Sequence, residues 1–166
     1  MATLWLIGMM GSGKTAVAPL VAARLDLPWY DTDREIEARS GRSLAALITE
    51  DEPGFRALER AEVARLAGRD AVVACGGGVV LDDATVTLMR ETGRVIHLDA
   101  SPVTLAARLG KGEGRPLLAE GVEAALLRID RERAERYAAA AHAVVDAEDV
   151  EETVAERVVD AWNLSS

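Results

Sequence analysis

The fold of this chain is decided by residues 8–15, which read Gly8-Met9-Met10-Gly11-Ser12-Gly13-Lys14-Thr15. A short apolar run at residues 4–7 precedes them, and an amphipathic segment at residues 17–25 follows. This order of strand, glycine-rich turn and helix, with the spacing Gly-x-x-x-x-Gly-Lys-Thr, is typical of a P-loop. The backbone N–H groups of such a loop surround a phosphate, and the start of the helix adds its positive dipole.

The loop side chains have roles that the motif itself predicts. Lys14 reaches the outer phosphates of a nucleotide, and the Thr15 hydroxyl is a ligand for Mg²⁺. The residues that we expect to contact ATP here are Gly11, Ser12, Gly13, Lys14, Thr15 and Ala16. The alternative is a glycine-rich turn without a ligand. Because all four fixed positions and both flanking elements are present, we predict nucleotide binding.

Length and composition narrow the class of protein. The chain has 166 residues, of which 49% are hydrophobic and 28% charged, so we expect one domain over residues 1–166. The net charge of -9 disfavours nonspecific binding to nucleic acid. No apolar stretch approaches the roughly 20 residues of a membrane helix, and we find no signal peptide. One cysteine fits a reducing compartment. We expect a cytoplasmic monomer that binds neither nucleic acid nor membranes.

Apolar runs alternate with helix-like segments along the whole chain. The predicted strands are residues 4–7, 28–30, 71–75, 95–98 and 143–145. The predicted helices are residues 16–25, 34–39, 44–49, 53–67, 82–91, 101–109, 122–140 and 150–162. This alternation implies a parallel sheet covered by helices on both faces. Ligands bind beyond the carboxyl ends of such strands, where the first three strands lead into the P-loop, Asp31-Thr32-Asp33 and Gly76-Gly77-Gly78.

Two aspartates follow the second strand. Asp31 could hold Mg²⁺ through water beside Thr15, since Mg²⁺ takes few carboxylates. Asp33 could accept a proton from a substrate hydroxyl. The alternative is a helix N-cap, because aspartate is favoured there and a helix follows. The neighbouring P-loop favours the functional interpretation.

The three glycines indicate a close approach of the backbone to another group, because ordering them costs much entropy. Their N–H groups could bind a small anionic or hydroxylated ligand, and the alternative is a flexible turn. Asp99 ends the fourth strand, but Ser101 and Pro102 follow it, so we prefer helix capping there. We expect Cys75 to be a small buried residue and the two histidines to lie in the core or at the surface without binding metal.

Four arginines are candidates for gripping a carboxylate or a phosphate with two parallel hydrogen bonds. They are Arg56, Arg108, Arg115 and Arg133. The alternative for any one of them is a solvated helix face. Spacing alone does not separate Arg56 from Arg60, or Arg133 from Arg136.

Together these features resemble those of shikimate kinases over nearly the whole chain. The family's markers are present as residues 8–15, Asp31-Thr32-Asp33, Gly54-Phe55-Arg56 with Glu59, Gly76-Gly77-Gly78, Gly114-Arg115-Pro116-Leu117-Leu118, and Arg133 four residues before Tyr137. The resemblance implies an α/β, P-loop nucleoside-monophosphate-kinase-like three-layer fold with a five-stranded parallel sheet of order 2-3-1-4-5. It also implies transfer of the ATP γ-phosphoryl group to the 3-hydroxyl of shikimate, giving shikimate 3-phosphate and ADP, in chorismate and aromatic amino-acid synthesis.

The resemblance also assigns roles within a substrate-binding region at about residues 31–60 and beyond it. Asp33 would hold the substrate hydroxyls and act as the base. Arg56 and Arg133 would bind the shikimate carboxylate, with Glu59 orienting Arg56. The backbone donors would be Gly77 and Gly78.

On the nucleotide side, the resemblance places Arg115 on a mobile lid at about residues 110–121, touching both phosphate and substrate. It places Arg108 against the adenine. Lys14 and Arg115 would stabilise the transferring phosphoryl group, and Thr15 and Asp31 would hold the Mg²⁺.

The departures from the family pattern are modest. Cys75 stands where a threonine is usual, and Arg136 stands where a leucine is usual. Residues 147–150 show no clear match to the family's adenine loop. The nearest alternative function is that of a kinase of the same fold acting on gluconate or a nucleoside monophosphate. Another is a nucleotide-binding regulatory protein without catalysis, although no expected catalytic residue is missing.

Overall fold

Parallel strand pairing organises the chain. The structure, a computed structural model, describes residues 2–110 and 121–164. Within these ranges the strands are β1 (Thr3–Ile7), β2 (Trp29–Asp31), β3 (Val72–Ala74), β4 (Gly93–Asp99) and β5 (Ala143–Asp146). All neighbouring pairs are parallel, and the order is β2-β3-β1-β4-β5. This order confirms the predicted sheet.

Helices connect successive strands and follow the last one. They are α1 (Lys14–Leu25), α2 (Thr32–Ser40), α3 (Leu44–Glu50), α4 (Glu52–Leu66), α5 (Asp83–Thr92), α6 (Pro102–Leu109), α7 (Val122–Ala140) and α8 (Glu151–Asn163). Their ends lie within two residues of the predicted ones, and those of α7 match the predicted residues 122–140. A 3-10 turn at Val79–Leu81 was not predicted. Of the helices in the described ranges, none has the length and apolar character needed to cross a bilayer.

Side-chain caps begin several helices, as short polar residues do when they accept a bond from the first-turn N–H groups. Ser43 accepts from the N–H of Ala46 at 3.2 Å and starts α3, as predicted. Ser101 accepts from the N–H of Thr104 at 3.3 Å and starts α6. The cap of α6 is therefore Ser101, and the exposed Asp99 beside it does not have that role.

Alternating side chains of the central strand serve two separate cores. Leu4 and Leu6 point to one face of the sheet, where α1 and α8 cover them. Trp5 and Ile7 point to the other face, where α4, α5 and α7 contribute buried residues. All four side chains are fully buried, which is typical of a parallel strand between two helical layers.

The register of the sheet brings three turns together. Leu6 of β1 pairs with Ala74 of β3, and Ala74 pairs on its other side with Asp31 of β2. The carboxyl ends of these strands therefore lie level, and the segments that follow them share one edge. This confirms that the P-loop, the two aspartates and the three glycines converge.

Leu6→Ala should lower the free energy of unfolding by about 2–5 kcal/mol, because it leaves a cavity beside a fully buried central strand. Urea denaturation is the measurement. Leu164→Ala is the matched control, since Leu164 is 86% exposed, and it should change stability by less than about 0.5 kcal/mol. Equal losses in the two variants would contradict this account of the core.

Candidate active site

The P-loop has the geometry of an anion site. It leads from β1 into α1, and Gly13 stands before α1 with a left-handed backbone (φ 96°) that favours glycine. Among the described residues no side chain caps this helix, so its first N–H groups are available to a ligand. The Lys14 ammonium donates to the carbonyls of Gly8 (2.6 Å) and Met9 (3.0 Å). Its charge is thus held inside the loop.

Asp31 combines the two interpretations that the sequence left open. Its Oδ1 accepts from the N–H groups of Asp33 (3.0 Å) and Arg34 (3.2 Å), so it caps α2. Its Oδ2 accepts from the Thr15 hydroxyl at 2.6 Å. A carboxylate oxygen and a hydroxyl oxygen therefore meet at the mouth of the P-loop. Asp33 lies just beyond this N-cap and is not needed for capping.

Two carboxylates meet against the bare backbone of Gly76. A Cβ atom added there would lie 2.7 Å from Asp33 Oδ1 and 2.7 Å from Glu59 Oε1. Both of these oxygens are buried and have no hydrogen-bond partner among the described residues. A side chain at position 76 would displace both groups, which explains the need for glycine.

Burial of these carboxylates changes their acidity. Burial, together with the nearby charges of Asp31 and Glu59, raises the pKa of Asp33 from 3.8 to about 7, although Lys14 acts in the opposite direction. Burial also raises the pKa of Glu59. Arg56 opposes that shift, but the loss of hydration outweighs it. The site therefore holds a carboxyl that exchanges its proton near neutral pH.

Arg56 lies against the turn at residues 76–78, which we call the glycine turn. Its Nη1 donates to Glu59 Oε2 at 3.0 Å, and its side chain is largely buried. A Cβ atom on Gly78 would lie only 2.1 Å from Arg56 Nη1, so a side chain there would displace the guanidinium. The guanidinium and the backbone of the turn thus form one surface.

Arg133 reaches the same turn from α7. Its side chain is buried, and its Nε has no hydrogen-bond partner among the described residues. A Cβ atom added to Gly77 would lie 3.6 Å from Arg133 Nη1. The Tyr137 hydroxyl donates to the carbonyl of Gly77 at 2.5 Å. Two guanidiniums and Asp33 therefore surround residues 76–78.

The structure separates the arginines that spacing alone could not. Arg60 is half exposed and lies 3.9 Å from Asp82. Arg136 is partly exposed and pairs with Asp83 at 2.9 Å. Arg56 and Arg133 are the members of each pair that turn inward.

A cavity of about 370 Å³ lies beside the P-loop. Its wall includes Ser12, Gly13, Arg108 and residues 147–151. Arg108 donates to the carbonyls of Gly11 (3.2 Å) and Ala147 (2.6 Å), which joins the P-loop to the segment after β5. Residues 147–150, which matched no motif, therefore form one side of this cavity.

Other predicted residues have simpler positions. Ala16 is exposed on the first turn of α1, and Cys75 is buried, as expected. His97 stacks on Tyr137 with ring centroids 4.9 Å apart. Arg115 and residues 111–120 of the predicted lid lie outside the described residues, so their roles stay predictions.

Sequence reasoning missed Thr32. Its side chain is fully buried, and its Oγ1 accepts from the N–H of Gly76 at 3.0 Å. This bond ties the start of α2 to the glycine turn and so places Asp33 against Gly76. The only signal in the sequence was a polar residue between two aspartates.

Comparisons with known proteins point to one family. The family model for shikimate kinase matches residues 10–163. A shikimate kinase from Symbiobacterium thermophilum is 45% identical over 159 residues, covering 91% of this chain and 91% of the relative. One from Salinibacter ruber is 42% identical over 169 residues, covering 95% of this chain and 82% of the relative.

Solved structures agree with this result. A shikimate kinase from Acinetobacter baumannii in complex with shikimate superimposes with a TM-score of 0.93 at 28% identity, covering 99% of this chain and 94% of that one. A gluconokinase from Sinorhizobium meliloti has a TM-score of 0.62 at 17% identity, covering 99% of this chain and 93% of that one. The second likeness shows the fold alone.

Asp33→Asn should stabilise the protein above neutral pH. The pKa of Asp33 is 3.8 in the unfolded chain and about 7 in the folded protein. Between pH 3.8 and about 7 the folded protein therefore keeps a proton that the unfolded chain has lost, and the free energy of unfolding falls as pH rises through that range. The asparagine removes the effect. We expect the variant to gain on the order of 1 kcal/mol or more over the parent near pH 8 and little near pH 4. Urea denaturation across this range is the measurement, and parallel curves for the two proteins would contradict the prediction.

Proposed function

The chain belongs to the shikimate kinase family, and on that premise we propose which of its residues bind shikimate and ATP and how they transfer the phosphoryl group. The enzyme transfers a phosphoryl group from ATP to an alcohol. The proposed acceptor is the 3-hydroxyl of shikimate, and the products are shikimate 3-phosphate and ADP.

One observation carries the assignment of the substrate site. Arg56, Arg133 and Asp33 surround the glycine turn, and buried polar atoms of Arg133 and Asp33 have no partner among the described residues. Polar groups left without partners in a dry site favour a ligand that supplies them. Shikimate is a small ring with one carboxylate and several hydroxyls. Its carboxylate suits the two guanidiniums, and its hydroxyls suit Asp33 and the backbone of residues 77–78.

Asp33 is the proposed base. The proton of the substrate hydroxyl passes to a carboxylate oxygen of Asp33, and the hydroxyl oxygen forms a bond to the γ-phosphorus of ATP. The bond between that phosphorus and the oxygen bridging to the β-phosphate breaks, and ADP leaves. A pKa near 7 suits this task, because the group can both accept and release a proton at neutral pH.

Lys14 supplies positive charge beside the phosphates. Its ammonium is bound by loop carbonyls within the P-loop, at the side where β1 ends. Charge held in place before the reaction stabilises the transition state without further reorganisation. Arg115 is proposed to add a second positive charge when the lid at residues 110–121 closes over both substrates, which would also exclude water.

The residues at the mouth of the P-loop fit Mg²⁺. Thr15 Oγ1 and Asp31 Oδ2 are adjacent hard oxygen atoms, the ligands that Mg²⁺ prefers. In the part of the chain that the structure describes, no group of three or more His, Cys, Asp or Glu side chains could hold a metal by itself. An ion that keeps most of its waters and binds phosphate needs no such group. Bound there, Mg²⁺ would neutralise charge on the ATP phosphates.

The cavity beside Arg108 is the proposed adenine site. It adjoins Ser12 and Gly13 of the P-loop, and residues 147–151 form its far wall. An adenine ring bound there would lie next to phosphates bound at the start of α1. Glu148 fixes this wall by accepting from the N–H of Ser101 at 2.5 Å.

The proposal also covers the pathway, the compartment and the oligomeric state of the enzyme. We propose that the enzyme acts in the route to chorismate and the aromatic amino acids, in the cytoplasm and as a monomer. The buried, unpaired cysteine is consistent with a reducing compartment.

The direct test is ATP consumption with shikimate as acceptor. We expect turnover that requires both shikimate and Mg²⁺, measured as ADP release in a coupled assay. Gluconate at the same concentration is the control and should support little turnover, because its open chain loses more conformational freedom on binding than the rigid ring of shikimate. Equal turnover with gluconate, or none with shikimate, would overturn the assignment.

Asp33→Asn should lower turnover on the order of a hundredfold or more while leaving ATP binding nearly unchanged, because the amide cannot take the proton. Asp99→Asn is the matched control, since Asp99 also ends a strand at this edge but is exposed. It should keep turnover within about twofold of the parent. A silent Asp33→Asn substitution would show that Asp33 is not the base.

A further inference from the structure

Helix α7 holds the backbone that follows β3 through hydrogen bonds from two of its side chains. We call residues 76–81 the glycine segment. The Tyr137 hydroxyl donates to the carbonyl of Gly77 at 2.5 Å. One residue earlier, Arg136 Nη1 donates to the carbonyl of Val80 at 3.2 Å and lies 3.5 Å from that of Leu81.

The glycine segment needs restraint from outside. Three consecutive glycines have more backbone freedom than any other residues, so their own conformational preferences do not fix them. Thr32 holds the first of them through the N–H of Gly76. Tyr137 holds Gly77, and Arg136 holds the far end at Val80. The segment is therefore tied to α2 at its start and to α7 at its middle and end.

The position of this segment determines the substrate site. Gly78 lies directly against the Arg56 guanidinium, and Gly76 lies against the carboxylates of Asp33 and Glu59. A small displacement of the backbone would therefore move or crowd Arg56 and Asp33, which are proposed to bind shikimate, and Glu59, which orients Arg56. Misplacement of about 1 Å is enough to weaken such a site considerably.

We infer that Arg136 is a positioning residue for shikimate: by holding the carbonyl of Val80 it keeps the glycine segment where Gly77, Gly78 and Arg56 can bind the substrate. This inference rests on the proposed function. Arg136 itself points to the far end of the segment and contacts none of the proposed substrate residues in the hydrogen bonds described.

The ion pair of Arg136 with Asp83 does not explain its position. The two groups are 2.9 Å apart, but the Asp83 side chain is 92% exposed and that of Arg136 is 43% exposed. Exposed pairs contribute little, with a median near about 0–1 kcal/mol. Val80 is by contrast buried, so a charged donor on its carbonyl acts in drier surroundings than the exposed ion pair does.

The effect should fall mainly on shikimate. A Cβ atom added to Gly77 would lie 3.6 Å from the Gly8 carbonyl oxygen of the P-loop, so the two segments are neighbours. The P-loop is held by its own bonds from Lys14, however, and Arg136 acts at the other end of the glycine segment. A loosened glycine segment therefore weakens shikimate binding more than ATP binding.

The test compares Arg136→Met with Arg131→Met in the full-length enzyme. Methionine keeps the aliphatic stem and removes the donors. Arg131 is an exposed arginine on the same helix. Shikimate is varied at saturating ATP, and ATP at saturating shikimate. We expect Arg136→Met to raise the KM for shikimate about three- to tenfold, with the KM for ATP within about twofold of the parent. Arg131→Met should change none of these values.

Two further measurements separate positioning from general stability. Asp83→Asn removes the exposed ion pair and keeps the bond to Val80, so its KM for shikimate should stay near that of the parent. Hydrogen exchange of amides 77–82 should be faster in Arg136→Met than in Arg131→Met, without a matching change across the P-loop.

Several outcomes would overturn the inference. These are an Arg136→Met variant with the same KM for shikimate as Arg131→Met, equal rises in both KM values, or an Asp83→Asn variant that reproduces the whole effect. A parent enzyme without shikimate-dependent ATP consumption would instead overturn the proposed function. Since the parent is measured in the same assay, the two failures are distinguishable.

Discussion

The level carboxyl ends of β1, β2 and β3 are the constraint on which the rest of the site depends. Parallel register places Leu6, Ala74 and Asp31 side by side. The segments that follow these strands therefore lie next to one another, and each contributes different chemical groups to the site. The P-loop offers N–H groups and an ammonium, the segment after β2 offers carboxylates, and the segment after β3 offers backbone without side chains. Hydrogen bonds from Thr15 to Asp31 and from Gly76 to Thr32 then lock these parts together.

The absence of side chains after β3 has an electrostatic consequence. Because Gly76 and Gly78 present no Cβ atom, Asp33, Glu59 and Arg56 can all approach the same short stretch of backbone. This crowding removes water from the carboxylates and raises the pKa of Asp33 to about 7. The arrangement destabilises the folded protein at neutral pH, but it produces a group able to take a proton there. Stability and function therefore oppose each other at Asp33, as they commonly do in active sites.

The parts of the fold that could be predicted are those with a local physical cause. The spacing of residues 8–15 predicts a P-loop because each position has a chemical requirement. Apolar runs bounded by turns predict the strands, and Ser43 predicts the start of α3 because its hydroxyl caps the nearest N–H groups. The 3-10 turn at Val79–Leu81 could not be predicted in this way. It is held from outside by Arg136, which lies far along the chain.

The sequence by itself determined the fold class, the nucleotide loop and the inventory of charged groups, because these depend on local spacing and on resemblance to a known family. Only the tertiary structure decided which of those groups act together. Arg56 and Arg60 lie four residues apart on the same helix and could not be distinguished by spacing. Arg56 nevertheless lies against Gly78, whereas Arg60 is half exposed near Asp82. The reason is that burial and the pairing of charges depend on which helix faces are brought to the same edge of the sheet, and that is a property of the packed chain.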